Sequence, residues 1–99
     1  MYRLSRTGQF DRDVKACLKR RWEGEALREA IAELANSDVT PIDARMRPHA
    51  LSGEWKGYRA IHVPSKKLPP KDKWVLVYRV RGSELQLVRT GSHQIYQMK

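Results

Sequence analysis

The runs 74–81 (WVLVYRVR) and 84–90 (ELQLVRT) are rich in β-branched and aromatic residues, and only Gly82 and Ser83 separate them. A two-residue connection leaves one arrangement for such runs, an antiparallel hairpin. Its first turn residue needs the positive φ of a type II′ turn, which glycine adopts without strain. The turn then sets the register: Val80 faces Leu85, Tyr78 faces Leu87, and Leu76 faces Arg89. Arg89 falls at the open end of the hairpin, level with Asp72, Lys73 and Trp74 at the entry of the preceding strand.

The rest of the chain is read around this hairpin. Residues 2–6 alternate weakly and suit a short edge strand. Thr7 is placed to cap a helix running to about Arg21, with Phe10, Val14, Cys17 and Leu18 on its buried face. Asp11, Arg12, Asp13, Lys15, Lys19 and Arg20 are assigned to its other faces. Gly24 breaks the pattern, and a second helix turns Leu27, Ala30, Ile31 and Leu34 inward before ending near Asn36. Residues 37–54 read as irregular, with Asp38, Pro41, Pro48, Ser52 and Gly53 as loop residues.

A strand is expected over 55–63, with Tyr58, Ala60 and His62 on one face and Arg59, Ile61 and Val63 on the other. The segment 64–73, with three prolines and four lysines, is expected to be a mobile basic loop. The sum is one α+β domain over residues 1–99. Two N-terminal helices pack on one face of a small, mainly antiparallel sheet that ends in a strand hairpin, leaving part of the other face open.

Twenty Lys and Arg against eleven Asp and Glu leave a net charge of +9. A surplus of that size draws polyanions to the surface. No apolar run approaches the length of a spanning helix, and the first residues lack the apolar stretch of a signal peptide. Cys17 is the only cysteine, which excludes an internal disulfide and a cysteine-based zinc site and points to a reducing cytosol. Its place on the apolar stripe makes it a core residue rather than a nucleophile.

All three histidines, His49, His62 and His93, fall just outside strands in the second half of the chain. Cutting RNA without a metal needs a base for the 2′-OH, an acid for the departing 5′-oxygen and a cation for the phosphate. Imidazole suits both proton transfers, and the arginine fork matches phosphate oxygens. His49, His62, Asp72, Arg89 and His93 form such a set, although an Arg89–Asp72 ion pair would serve structure alone. The histidines lack the spacing of a helical metal-ligand pair, so neither a metal nor a cofactor is expected. Trp55, Tyr58 and Tyr96 stand near basic residues and offer rings for base stacking, while Trp55 and Tyr58 fit a sheet core equally well. Trp74 shares a face with Leu76 and Tyr78 and is expected in the core.

Three strings carry a family resemblance: LSGEWKGYRAIHV from Leu51, WVLVY from Trp74, and LVRTGSH from Leu87. With GQFDRDVK from Gly8, they closely resemble the YafQ branch of the RelE-superfamily toxins over nearly the whole chain. The resemblance implies a RelE-like fold, ribosome-dependent cleavage of mRNA in the aminoacyl site, and inhibition by a cognate antitoxin. It implies functional roles for the residues at the matching positions, His49, His62, Asp72, Arg89 and His93. Here Lys73 separates Asp72 from Trp74, where the family places aspartate directly before the tryptophan, and the loop before it is longer and more basic. Tyr96 matches the aromatic residue that the family carries after its last histidine, at a different spacing.

Together these readings give a cytoplasmic, metal-independent endoribonuclease with mRNA, ribosomal RNA and an antitoxin as partners and no membrane contact. His93 is expected as general acid and Arg89 as phosphate stabiliser. His49 or His62 is expected as base, with Asp72 holding a histidine in its needed charge state. Lys56, Arg59, Lys66, Lys67, Lys71, Lys73 and Tyr96 are expected to hold RNA. The alternative is a toxin of the same fold that poisons DNA gyrase by binding it.

Overall fold

The computed structural model describes residues 1–70 and 73–97. Its regular elements are β1 (Arg3–Arg6), α1 (Gly8–Lys19), α2 (Gly24–Ala35), β2 (His49–Ala50), β3 (Arg59–His62), β4 (Val75–Arg81) and β5 (Glu84–Gly91). Single turns of 3-10 helix occur at Ala44–Met46 and Gly53–Trp55, and a longer one at His93–Gln97. The strands form one sheet in the order β1-β5-β4-β3-β2, in which only β1 is parallel to its neighbour. The fold is the expected α+β arrangement, with β2 as an addition. A two-residue strand carries no periodicity by which a sequence could announce it.

The hairpin turn forms as anticipated, with Gly82 at φ +59°. Val80 pairs with Leu85 and Tyr78 with Leu87. Beyond them the register slips by one at a β-bulge, so that Arg89 lies opposite Val77 and Thr90 opposite Leu76. The expected Leu76–Arg89 pair is therefore replaced. The slip matters because directly opposed residues share a face of the sheet. Leu76 belongs to the core beneath the helices, whereas Val77 belongs to the opposite face.

The helices follow their apolar stripes. Thr7 caps α1 by accepting from the Phe10 amide at 2.9 Å. Phe10 and Cys17 of α1 join Ala26, Leu27, Ala30 and Leu34 of α2 over Ile61, Val63, Trp74, Leu76, Leu85 and Leu87 of the sheet side. Trp22 meets Trp74 edge-on at 5.2 Å, and the Trp74 indole donates to Thr90 Oγ1 at 2.8 Å. Trp74 is thus core, as expected. Leu18 is not: it is 50% exposed and rims a groove between the two helices. Burial and the nearby Asp13 charge push the Cys17 thiol up to about 11, against a smaller opposing effect of Arg20, so it is protonated at neutral pH.

The strand expected over 55–63 begins only at Arg59. Gly53 and Gly57 take φ values of +64° and +94°, and between them the chain makes a helical turn that tucks Trp55 under the sheet. Trp55, Ala60, Val75, Val77 and Ile95 form a second, smaller core there, with Leu51, Tyr58, Val88 and Tyr96 against it. The face away from the helices is therefore largely covered, and Trp55 and Tyr58 take the packing role of the two open to them. No helix among the described residues is long and apolar enough to cross a membrane.

Candidate active site

The three histidines converge at one end of this second face. His49 pairs with Ala60 across β2 and β3, and His62 pairs with Val75 across β3 and β4. Pairing of this kind puts both imidazoles on the side of Ala60 and Val75. His93 follows β5 after Ser92 and opens the 3-10 turn that runs to Gln97. The His62 ring centroid lies 6.1 Å from that of His49 and 5.3 Å from that of His93. Tyr96 stands 6.0 Å from His93 and 6.5 Å from Trp55, and its carbonyl accepts from the Trp55 indole at 2.8 Å. That bond ties the segment after His93 to the segment between His49 and His62. Burial raises the Tyr96 hydroxyl above its usual range, and its oxygen has no hydrogen-bond partner among the described residues.

His49 has its proton placed by a neighbour. Its Nδ1 lies 2.9 Å from the carbonyl oxygen of Arg47. A carbonyl only accepts, so in the neutral ring Nδ1 carries the hydrogen and Nε2 keeps a lone pair. The Arg47 backbone that supplies this carbonyl is left-handed, at φ +51°, and closes the turn begun at Asp43.

Arg89 is 7% exposed, and its Nε and Nη2 donate to Oδ2 and Oδ1 of Asp13 at 2.8 and 3.0 Å. Asp13, expected on an outer face of α1, is itself 8% exposed. It also accepts from the Thr90 amide at 3.1 Å. The reason lies at the sheet edge. β1 pairs with β5 only as far as Leu87, leaving the outer edge of β5 uncovered beyond that point. Thr7 meets the Leu87 and Val88 carbonyls, and Asp13 meets the Thr90 amide. A signal for Asp13 exists in the sequence, since Phe10, Asp13 and Cys17 recur at helical spacing on one face.

The other expected residues divide. Asp72 and Lys71 lie outside the described residues. Lys56, Lys66, Lys67 and Lys73 are exposed, and Lys66 lines a cleft that also reaches His62. Arg59 is exposed but pairs with Tyr78, whose side chain enters the helix-side core, so it does not share the histidine face. Sequence reasoning missed Arg45, Arg47 and Glu23. The two arginines line the same cleft as Lys66. Glu23 accepts from Ser65 Oγ at 3.1 Å and the Lys66 amide at 3.0 Å, anchoring that loop to the helix connection. Among the described residues, no group of three or more His, Cys, Asp or Glu side chains is arranged to hold a metal.

The family described as "Bacterial toxin of type II toxin-antitoxin system, YafQ" matches residues 2–97. The mRNA interferase toxin YafQ of Escherichia coli K12 is 34% identical over 87 residues, which are 88% of this chain and 86% of that protein. The crystal structure of YafQ from E. coli BL21(DE3) superposes with a TM-score of 0.81 at 31% identity, covering 97% of this chain and 98% of that one. YafQ in the E. coli DinJ–YafQ complex gives a TM-score of 0.78 at 33% identity, covering 96% and 97%. The chain belongs to the YafQ family of type II toxins.

Proposed function

We propose that this toxin is an mRNA interferase that cuts RNA by acid/base attack of the RNA's own 2′-OH. The observation that carries the reading is the row of imidazoles, His62 between His49 at 6.1 Å and His93 at 5.3 Å, in a YafQ-family fold. His49 is the general base, because its Nε2 lone pair is available while Nδ1 is held by the Arg47 carbonyl. As it takes the 2′-OH proton, the 2′-oxygen bonds to phosphorus and the bond to the 5′-oxygen breaks. His93 gives its proton to that leaving oxygen, so the products are a 2′,3′-cyclic phosphate and a 5′-hydroxyl. His62 lies between the two and orients the reacting nucleotide.

Arg89, held by Asp13, stabilises charge on the phosphate. Asp72 retains its assignment of fixing the charge state of a histidine. Lys56, Lys66, Lys67, Lys71 and Lys73 hold the RNA backbone, and ribosomal RNA beside it, in the cytoplasm. A cognate antitoxin would restrain the protein, as the DinJ–YafQ assembly of the relatives suggests. Kinship with proteins named mRNA interferases supports this reading over gyrase binding.

The test is mRNA cleavage by the purified protein in EDTA, with and without programmed ribosomes, beside His93→Gln. Ribosome-dependent cutting that the variant loses supports the reading. Absence of cutting under every condition overturns it.

A further inference from the structure

The second face of the sheet continues along β4 toward the hairpin turn. Val75 and Val77 lie in its small core, and strand alternation puts Arg79 on the same face, paired with Gln86 of β5. Arg79 is half-buried, and three contacts fix its guanidinium. Its Cζ stands 5.3 Å from the centre of the Tyr58 ring, Nε donates to Gln86 Oε1 at 2.7 Å, and Nη1 donates to the Tyr58 hydroxyl at 3.4 Å. Trp55 supports Tyr58 edge-on at 5.4 Å, its indole is tied to the Tyr96 carbonyl, and the Tyr96 ring lies 6.0 Å from His93. A line of flat groups thus runs from the imidazole row to Arg79. Holding a long side chain still costs rotamer entropy, which an arginine serving only solubility has no reason to lose. The groups that hold this one are a phenol and an amide, so they shape the guanidinium without neutralising it.

Resting on the nuclease reading above, we infer that the outer face of the Arg79 guanidinium, backed by Tyr58, is a stacking subsite for an unpaired base of the RNA strand that crosses the imidazole row. A guanidinium is planar, charged and weakly hydrated, and unpaired bases stack on such planes. Gln86 sets the tilt of the plane. Arg79 lies four residues along β4 from Val75, the cross-strand neighbour of His62, a distance of about 13 Å. The base held there therefore belongs to a nucleotide beyond the reacting one. An acidic protein segment would answer the charge alone, whereas a nucleotide uses the plane as well.

The experiment reads binding without ribosomes. The ligand is a fluorescent single-stranded RNA with 2′-O-methyl groups, which lack the nucleophile, beside a series of the same strand missing one base at a time. The proteins are the parent, Arg79→Lys, which keeps the charge and loses the plane, and Arg28→Lys, which makes the same exchange at an exposed position on α2. Arg79→Lys is expected to bind the full strand about tenfold more weakly with an unchanged salt slope, and Arg28→Lys to stay within about twofold of the parent. For one strand of the series the parent and Arg79→Lys are expected to bind alike, because the base that Arg79 holds is the one removed. Parent-like binding by Arg79→Lys, a loss shared equally by every strand, a flattened salt slope, or no RNA binding by the parent overturns the inference. So does an Arg79→Lys protein that loses a polyglutamate peptide while keeping RNA. Cleavage on programmed ribosomes is read separately, and a parent that stacks the base but never cuts would fail the nuclease reading alone. Thermal melts confirm that each protein is folded when titrated.

Discussion

The Arg89 guanidinium forks onto the Asp13 carboxylate, with Nε to Oδ2 at 2.8 Å and Nη2 to Oδ1 at 3.0 Å, both groups buried. This contact joins the first helix to the last strand. Asp13→Ala takes a bidentate carboxylate partner from a buried guanidinium, and the expected cost is about 3–5 kcal/mol of unfolding free energy. Urea denaturation measures it. A change below about 1 kcal/mol would mean that water or another carboxylate takes over.

The proposed general acid, His93, is tested by rate. His93→Gln is expected to lower the single-turnover cleavage rate on programmed ribosomes by about 10²–10⁴-fold. His93 is exposed, so the melting temperature is expected to stay where it is. Loss of rate together with loss of fold would remove the proton-transfer reading.

The Arg47 carbonyl at 2.9 Å predicts the less common neutral tautomer at His49, with the hydrogen on Nδ1. Long-range ¹H–¹⁵N correlation of the neutral ring distinguishes the two nitrogens. A signal pattern with the hydrogen on Nε2 would contradict His49 as base in this arrangement.

Glu23 reports on the loop. The Lys66 amide, followed by the Ser65 hydroxyl, holds its carboxylate below the ordinary range, against a smaller upward push from desolvation. A carboxylate depressed in the folded state stabilises the loop contact above its unfolded value of about 4.3 and loses that contribution as pH falls through the folded value. The Lys66 amide shift is expected to titrate with a midpoint below that of an unperturbed glutamate, and Glu23→Gln is expected to abolish the titration. A midpoint at the ordinary value would mean that the contact is not kept in solution.

Gly91 takes φ +153°, and a Cβ there would stand 2.9 Å from Ile95 Cγ2. Gly91→Ala must push the turn that carries His93 and Tyr96 away from the sheet. The expected result is a loss of about 1–3 kcal/mol in stability and a fall in cleavage rate greater than the unfolded fraction explains. Parent-like kinetics would show that the turn tolerates displacement.

The elements that sequence made legible are those set by local chemistry. Gly82 and Ser83 define the hairpin, and Thr7 with the stripe from Phe10 to Cys17 defines α1. His49, His62 and His93 were also assigned together, and the sheet does gather them. What escaped depends on contacts distant in sequence. The bulge that sets Arg89 opposite Val77 has no signature in either strand, and β2 exists only because β3 lies beside it. Asp13 escaped for another reason: a carboxylate on a helix reads as surface unless a buried cation waits for it, and that cation is 76 residues away. The arginines at 45 and 47 stood in a stretch read as plain loop.

β1 is the first strand of the chain, yet its sole neighbour is β5, with Arg3 beside Glu84 and Arg6 beside Leu87. The sheet is therefore completed only when the two ends of the sequence meet, and Asp13 and Arg89 are joined across that same closure. A chain stitched in this way should unfold in a single cooperative step. A protease cut that removes β1 together with α1 would take Asp13 from Arg89, so toxicity cannot survive in a fragment holding the histidines alone.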